Sequence, residues 1–221
     1  MKKISRRKII QFGVLSGLAG ALGVNAGIAK ALTLMPTPSE TEGPFYPVKD
    51  QQDKDADLTQ IEGHAAVAHG RHIIIGGRVQ DVAGHPVANA MLDIWQADAS
   101  GRYRHPRDPN PAKADENFQG RAIIHSDENG FFRFKTVTPG AYPASIAWTR
   151  PPHIHFKISK PGYRMLTTQM YFPDEKLNGS DLLLNAKPLA QRAAMTARLI
   201  AQQGNWPVYE YNIVLNRLRS E

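Results

Sequence analysis

The strongest constraint on the fold is how the chain is punctuated. From His72 onward, short apolar runs are separated by turns rich in glycine, proline and asparagine. Successive side chains of a strand point to opposite faces, so runs of this kind are read as strands rather than helices. Segments 72–79, 90–97, 122–125, Phe131–Val137, His153–Ser159, 165–172 and 209–215 all have this character. Ala83-Gly84-His85-Pro86 reads as a turn. Ser126-Asp127-Glu128-Asn129-Gly130 carries an Asn-Gly hairpin signal, where positive φ is needed. The pattern predicts an all-β protein, an antiparallel β-sandwich. One short helical segment is predicted near the C-terminus, between Asn185 and Gln203. There Leu189, Ala193, Thr196 and Ile200 recur at helical spacing.

The formal net charge of +7 invites a nucleic-acid reading, but the charge is concentrated at one end. Lys2, Lys3, Arg6, Arg7, Lys8 and Lys30 fall in the first 31 residues, which hold no acid; without those six the body is left at +1. A near-neutral body with no basic stripe is not a phosphate binder. Ser5-Arg6-Arg7-Lys8-Ile9-Ile10 reads as a twin-arginine export signal. A Gly-rich, weakly apolar run and Ala29-Lys30-Ala31, of cleavage-site form, follow it. Residues 1–31 are therefore expected to be a signal peptide, and the mature protein to be periplasmic or secreted, with no membrane contact after cleavage. Residues 32–58 read as an extended N-terminal arm and loop, and 59–221 as the β-sandwich catalytic domain. The chain has no cysteine, which excludes disulfides, thiolate metal sites and cysteine nucleophiles.

The stretch Arg150-Pro151-Pro152-His153-Ile154-His155-Phe156-Lys157-Ile158 opens a strand with histidines at i and i+2. His153 and His155 then present two imidazoles to one face, with Ile154 and Phe156 on the other. Two imidazoles on one face make half of a metal site. With no thiolate, any metal must be held by His, Tyr, Asp or Glu. Tyr103 lies in Gly101-Arg102-Tyr103-Arg104-His105, and Tyr142 in Thr138-Pro139-Gly140-Ala141-Tyr142-Pro143.

These segments together carry a resemblance. TEGPFYP (41–47), IWQADASGRYRHP (94–106), TPGAYP (138–143) and RPPHIHFKI (150–158), with TQMYF (168–172) as a weaker fifth, occur in the order found in the intradiol ring-cleavage dioxygenases. Among these, the iron-bearing chain of the protocatechuate branch is the most similar. The resemblance runs from about Glu42 to Leu215. It implies an Fe(III) cofactor held by Tyr103, Tyr142, His153 and His155. A hard trivalent cation favours anionic oxygen donors. A tyrosine, with an ordinary pKa of about 10, ionises at neutral pH only beside such a charge. The resemblance further implies a catecholic substrate and O2, with the ring opened between its two hydroxyls to a cis,cis-muconate type diacid. Tyr142 would be the labile ligand that takes up a substrate proton. Arg150 would bind the substrate and stabilise negative charge growing on it. Gln169 would act on the reacting groups, while Tyr46 and Pro44 would line the substrate pocket. His64, His69, His72, His85 and His125 are expected to be solvated or structural, and His105 to orient the Tyr103 segment.

Segment 143–148 departs from the family pattern after the second tyrosine, which leaves the ring open among protocatechuate, catechol, hydroxyquinol and chlorinated or lignin-derived catechols. Family precedent and the N-terminal arm point to a homo-oligomer. Two other functions compete: a non-catalytic, transthyretin-like binding module, and a metal-dependent hydrolase. The first predicts loss of at least one ligand type, and all four side chains are present. The second would use zinc, for which two phenolates are a rare set and no water-activating Glu accompanies the histidine pair.

Overall fold

The computed structural model describes residues 33–218; the expected signal peptide at 1–31 lies outside them. Eleven strands and two short helices follow in order: β1 (His72–Asp81), β2 (Met91–Trp95), β3 (Arg121–His125), β4 (Phe131–Val137), β5 (Tyr142–Ser145), β6 (Trp148–Arg150), β7 (His153–Ser159), β8 (Leu166–Tyr171), α1 (Leu182–Asn185), α2 (Leu189–Met195), β9 (Arg198–Gln203), β10 (Trp206–Glu210) and β11 (Ile213–Leu215). A 3-10 turn at Lys176–Ser180 precedes α1.

Two sheets supply the two layers. One has the order β11-β1-β10-β9, with β4 also paired to β1; the other is β3-β2-β7-β8. The second sheet is antiparallel throughout, as expected of a sandwich. The first is mixed, because β1 runs antiparallel to β4 but parallel to β10 and β11. Between the sheets, Ile73, Ile75, Phe132 and Phe134 meet Leu92, Ile94, Ile154, Phe156 and Ile158, and all are buried. Burying each such side chain contributes about 1.5–3 kcal/mol, so this seam fixes which face of β7 turns inward. With Ile154, Phe156 and Ile158 committed to the core, His153 and His155 must take the outer face.

The structure corrects two expectations. The helix expected between Asn185 and Gln203 is only α2, Leu189–Met195. Asn185 belongs to α1, and residues 198–203 are strand β9, paired antiparallel with β10 through a turn at Gly204, where φ is +60°. The spacing that suggested one helix arose because every residue of β9 is exposed, so its apolar positions carry no burial information. The run 209–215 is also two strands, β10 and β11, which pair with successive halves of β1. Strands β5 and β6 were not anticipated; they form a separate two-stranded sheet.

The arm before β1 is stitched to the sandwich. Thr37 N–H donates to Val214 O at 3.0 Å, Glu40 N–H donates to Thr167 O at 2.9 Å, and Thr168 Oγ1 donates to Pro38 O at 2.7 Å. Those bonds carry residues 41–46 onto the outer face of β7 and β8. Among the described residues, no helix is long and apolar enough to cross a membrane.

Candidate metal centre

Strand register assembles the site. Across the second sheet, Arg121 faces Trp95, Trp95 faces His155, and His155 faces Gln169; one row over, His153 faces Tyr171. Period-two alternation puts all these side chains on the face away from the core. Trp95 stacks on His155 with ring centres 4.7 Å apart and planes 8° from parallel. The stacked indole holds the imidazole plane in place.

The two tyrosines arrive from loops. Tyr103 comes from the 96–120 segment between β2 and β3, and its N–H donates to Asp108 Oδ2 at 2.6 Å. Tyr142 opens β5. The two loops abut through glycines: a Cβ on Gly140 would lie 2.3 Å from Gly101 N, and one on Gly101 would lie 2.4 Å from Ala141 O. No larger residue fits at either position. The contact brings the Tyr103 and Tyr142 rings to 5.4 Å, edge to face.

The donor atoms converge. Tyr103 Oη lies 3.1 Å from His155 Nε2 and 3.4 Å from His153 Nε2, and the two Nε2 atoms are 3.2 Å apart. His153 Nδ1 lies 2.7 Å from Pro151 O. A carbonyl only accepts, so Nδ1 carries the hydrogen and the Nε2 lone pair points into the cluster. Donor atoms bonded at about 2 Å to one cation keep about these separations from each other. The Tyr142 ring centre is 5.8 Å from that of His153. All four side chains are buried.

Electrostatics agree with a cation site. Burial, followed by the Arg150 charge, holds His153 well below its usual pKa and His155 down to about 3. Both imidazoles are therefore neutral, as ligands must be. Burial first, then Tyr142, pushes Tyr103 well above the usual phenol range, and burial raises Tyr142 as well. A cation at the centre reverses that penalty by pairing with the phenolates. Among the described residues, no three His, Asp or Glu side chains are grouped as a metal site. The two-histidine, one-carboxylate arrangement of ferrous enzymes therefore has no counterpart there.

Arg150 ends β6 directly opposite Tyr142 on β5. Its guanidinium is buried and fully engaged on one side. Nε donates to Asp181 Oδ1 at 2.9 Å; Nη2 donates to Gln169 Oε1 at 2.6 Å and to Tyr171 Oη at 3.0 Å. Gln169 Nε2 donates to Thr41 O at 2.9 Å, which ties the arm to the same network. Phe45 packs on Tyr103 and Tyr142, with ring centres 4.9 and 6.0 Å apart. Tyr46 stands edge-on to Trp95 and donates its hydroxyl to Asp93 Oδ2 at 2.6 Å. Burial and that bond push Tyr46 up to about 12. Pro44 is exposed on the turn between Gly43 and Phe45. His105 is buried against Phe45 and accepts the Arg107 N–H through Nδ1 at 3.2 Å.

The quoted motifs contain Trp95 and Tyr171 without giving either a role, and none of them contains Asp181. Asp181 is fully buried and accepts from Arg150, Trp148, Tyr171 and Leu184. Its position as N-cap of α1 was a usable local signal, but nothing local names Arg150 as its partner.

A family model described as a dioxygenase matches residues 41–217. The protocatechuate 3,4-dioxygenase beta chain of Burkholderia cepacia is 38% identical over 179 residues, covering 78% of this chain and 76% of that one. The chain belongs to the intradiol ring-cleavage dioxygenase family. The alpha chain of the same B. cepacia enzyme is 34% identical to this dioxygenase, covering 82% of this chain and 92% of that one. Among solved structures, 3-chlorocatechol 1,2-dioxygenase from Rhodococcus opacus 1CP superposes with a TM-score of 0.64 at 27% identity. That match covers 86% of this dioxygenase and 75% of the other chain.

Proposed function

We propose that this dioxygenase is a ferric, non-haem enzyme that opens a catechol ring between its two hydroxyls, adding both atoms of O2 to give a cis,cis-muconate type diacid. The observation that carries this reading is the convergence of Tyr103 Oη with the Nε2 atoms of His153 and His155, within 3.4 Å of one another. Tyr103, Tyr142, His153 and His155 would hold the iron. A bound ferric ion supplies the positive charge that keeps both phenols and the substrate diol ionised and withdraws electron density from the ring.

The chain's own residues do the rest. Tyr142, reached from the edge of the site, takes a proton from a substrate hydroxyl at Oη. Arg150, fixed by Asp181, Gln169 and Tyr171, holds a permanent cation beside Tyr142, where it would stabilise negative charge developing on the ring. Gln169 acts as a positioning residue for that guanidinium. Phe45 and Trp95 exclude water from the donor atoms. Pro44 and Tyr46 border the substrate from the arm side. Export by the twin-arginine route to the periplasm or beyond is part of the proposal and rests on residues 1–31. So is assembly into a homo-oligomer, in a family whose relatives include alpha and beta chains, consistent with oligomers.

The test is oxygen uptake by the iron-loaded protein with a panel of catechols, the product being identified by its ultraviolet spectrum. Ring opening between the hydroxyls is expected. Opening beside them, or no uptake with any catechol, would overturn the proposal.

A further inference from the structure

The two imidazoles of the centre are anchored differently. His153 Nδ1 donates to Pro151 O at 2.7 Å, which fixes both its tautomer and its plane. His155 has no such bond. Its Nδ1 is buried, and no group among the described residues accepts from it. A histidine that holds a metal almost always gives its second ring N–H to an acceptor, and that bond orients the ring. Within the protein, another contact must set the plane of His155.

Trp95 makes that contact. It faces His155 across the β2–β7 register, with ring centres 4.7 Å apart and planes 8° from parallel. The indole lies outside the seam between the sheets, in a separate buried cluster with Phe45, Tyr103 and Tyr142. Its own Nε1 is buried without a partner. A buried indole kept for its N–H shows an acceptor, so what Trp95 offers here is a flat face. That face is buttressed from behind. Tyr46 stands edge-on to the indole, with ring centres 4.9 Å apart, and its hydroxyl is held by Asp93 at 2.6 Å and Arg121 at 3.1 Å. The arm closes on the imidazole as well: a Cβ on Gly43 would lie 3.5 Å from His155 Cε1.

We infer that Trp95 is a positioning residue for His155, its stacked plane serving in place of the hydrogen bond that His153 has and His155 lacks. The inference rests on the ligand set proposed above, in which both imidazoles bind the iron. Rotation of an imidazole about its Cβ–Cγ bond is soft when nothing restrains it. A parallel ring at van der Waals contact restrains it, whereas an aliphatic side chain fills the space and leaves the plane free.

The experiment compares Trp95→Phe and Trp95→Leu with the unaltered full chain, each loaded with ferric iron. Phe keeps a flat ring against His155; Leu keeps apolar bulk and loses the plane. Two readouts are taken where circular dichroism shows each protein folded: the rate of iron transfer to a strong chelator, and the electron paramagnetic resonance line shape of the ferric ion. Trp95→Leu is expected to release iron about tenfold to a hundredfold faster and to give a broadened or split ferric signal. Trp95→Phe is expected to stay close to the unaltered protein in both. A folded Trp95→Leu with unaltered release and line shape, or a Trp95→Phe that releases iron as fast as Trp95→Leu, would overturn the inference while leaving the ligand set standing. Where Trp95→Leu fails to fold, Trp95→Met takes its place against the same Phe comparator, with the same two outcomes. An unaltered chain that retains no ferric ion would overturn the inference together with the ligand set.

Discussion

Replacing Asp181 tests whether Arg150 is held as the structure shows. The pair is buried, with 0% of the Asp181 side chain and 5% of the Arg150 side chain exposed. Removing one partner of a buried pair leaves an uncompensated charge and costs about 3–5 kcal/mol. Asp181→Asn keeps the volume and one oxygen able to cap α1, but it loses the charge and the acceptors on the second atom. A loss near the low end, about 3 kcal/mol, is expected. Asp181→Ala also removes the cap over Leu184 N–H, adding about 1 kcal/mol. For a chain of this size, 3 kcal/mol lowers Tm by about 6–12 °C. Urea or thermal unfolding of the metal-free protein reads this directly. A double variant, Asp181→Asn with Arg150→Met, removes both charges and should recover part of the loss. A single-variant loss under about 1 kcal/mol, with no recovery in the double, would mean that solvent already screens the guanidinium. The rigid placement of Arg150 would then be refuted.

Three further outcomes follow from the same geometry. Tyr103→Phe should weaken the visible tyrosinate-to-iron absorption of the loaded protein and its iron retention by at least about tenfold, read by spectroscopy and metal analysis; an unchanged band would take Tyr103 out of the ligand set. Gly140→Ala should force the Tyr103 and Tyr142 loops apart at the Gly101 contact, costing about 1–3 kcal/mol and impairing iron loading; unfolding curves and iron content equal to those of the unaltered protein would contradict the contact. His153 and His155 are neutral when folded but take up protons near pH 6.5 when unfolded, so the metal-free protein should lose stability as pH falls from about 6.5 toward 3. The slope should reach about 1.4 kcal/mol per pH unit for each histidine, with little change above that window. Urea midpoints at pH 7.5 and 5, taken with chelator present, should show the drop before most carboxylates titrate, and a flat response would argue that the imidazoles are not buried.

The residues that were legible in the sequence are those whose geometry follows from local periodicity. His153 and His155 needed only a strand and a core on the other face, and Ile154 and Phe156 supplied both. The tyrosines were legible only through the resemblance of their segments to the family's motifs, since a loop tyrosine by itself reads as a surface aromatic, and their meeting depends on Gly101 and Gly140 across a gap of some forty residues. Arg150 and Gln169 were recognised singly, but their bond was not, since it requires the β6-to-β8 layout. Asp181 was invisible for the same reason: its partner lies 31 residues earlier, and one acid before a leucine run looks like any other helix cap. Strand β9 was misread because exposed strands lack the burial contrast that separates a period of two from one of 3.6. Strands β5 and β6 are short, and Pro143 at the second position of β5 hides the first of them.

The central claim is that two phenol oxygens and two imidazole nitrogens of one chain bind the same ferric ion. Metal analysis combined with the visible spectrum of the reconstituted protein tests it most directly. The expected result is one iron per chain and a broad tyrosinate-to-iron band that weakens in both Tyr103→Phe and Tyr142→Phe. Iron bound with no such band, or a protein that stays colourless and iron-free after reconstitution, would contradict it.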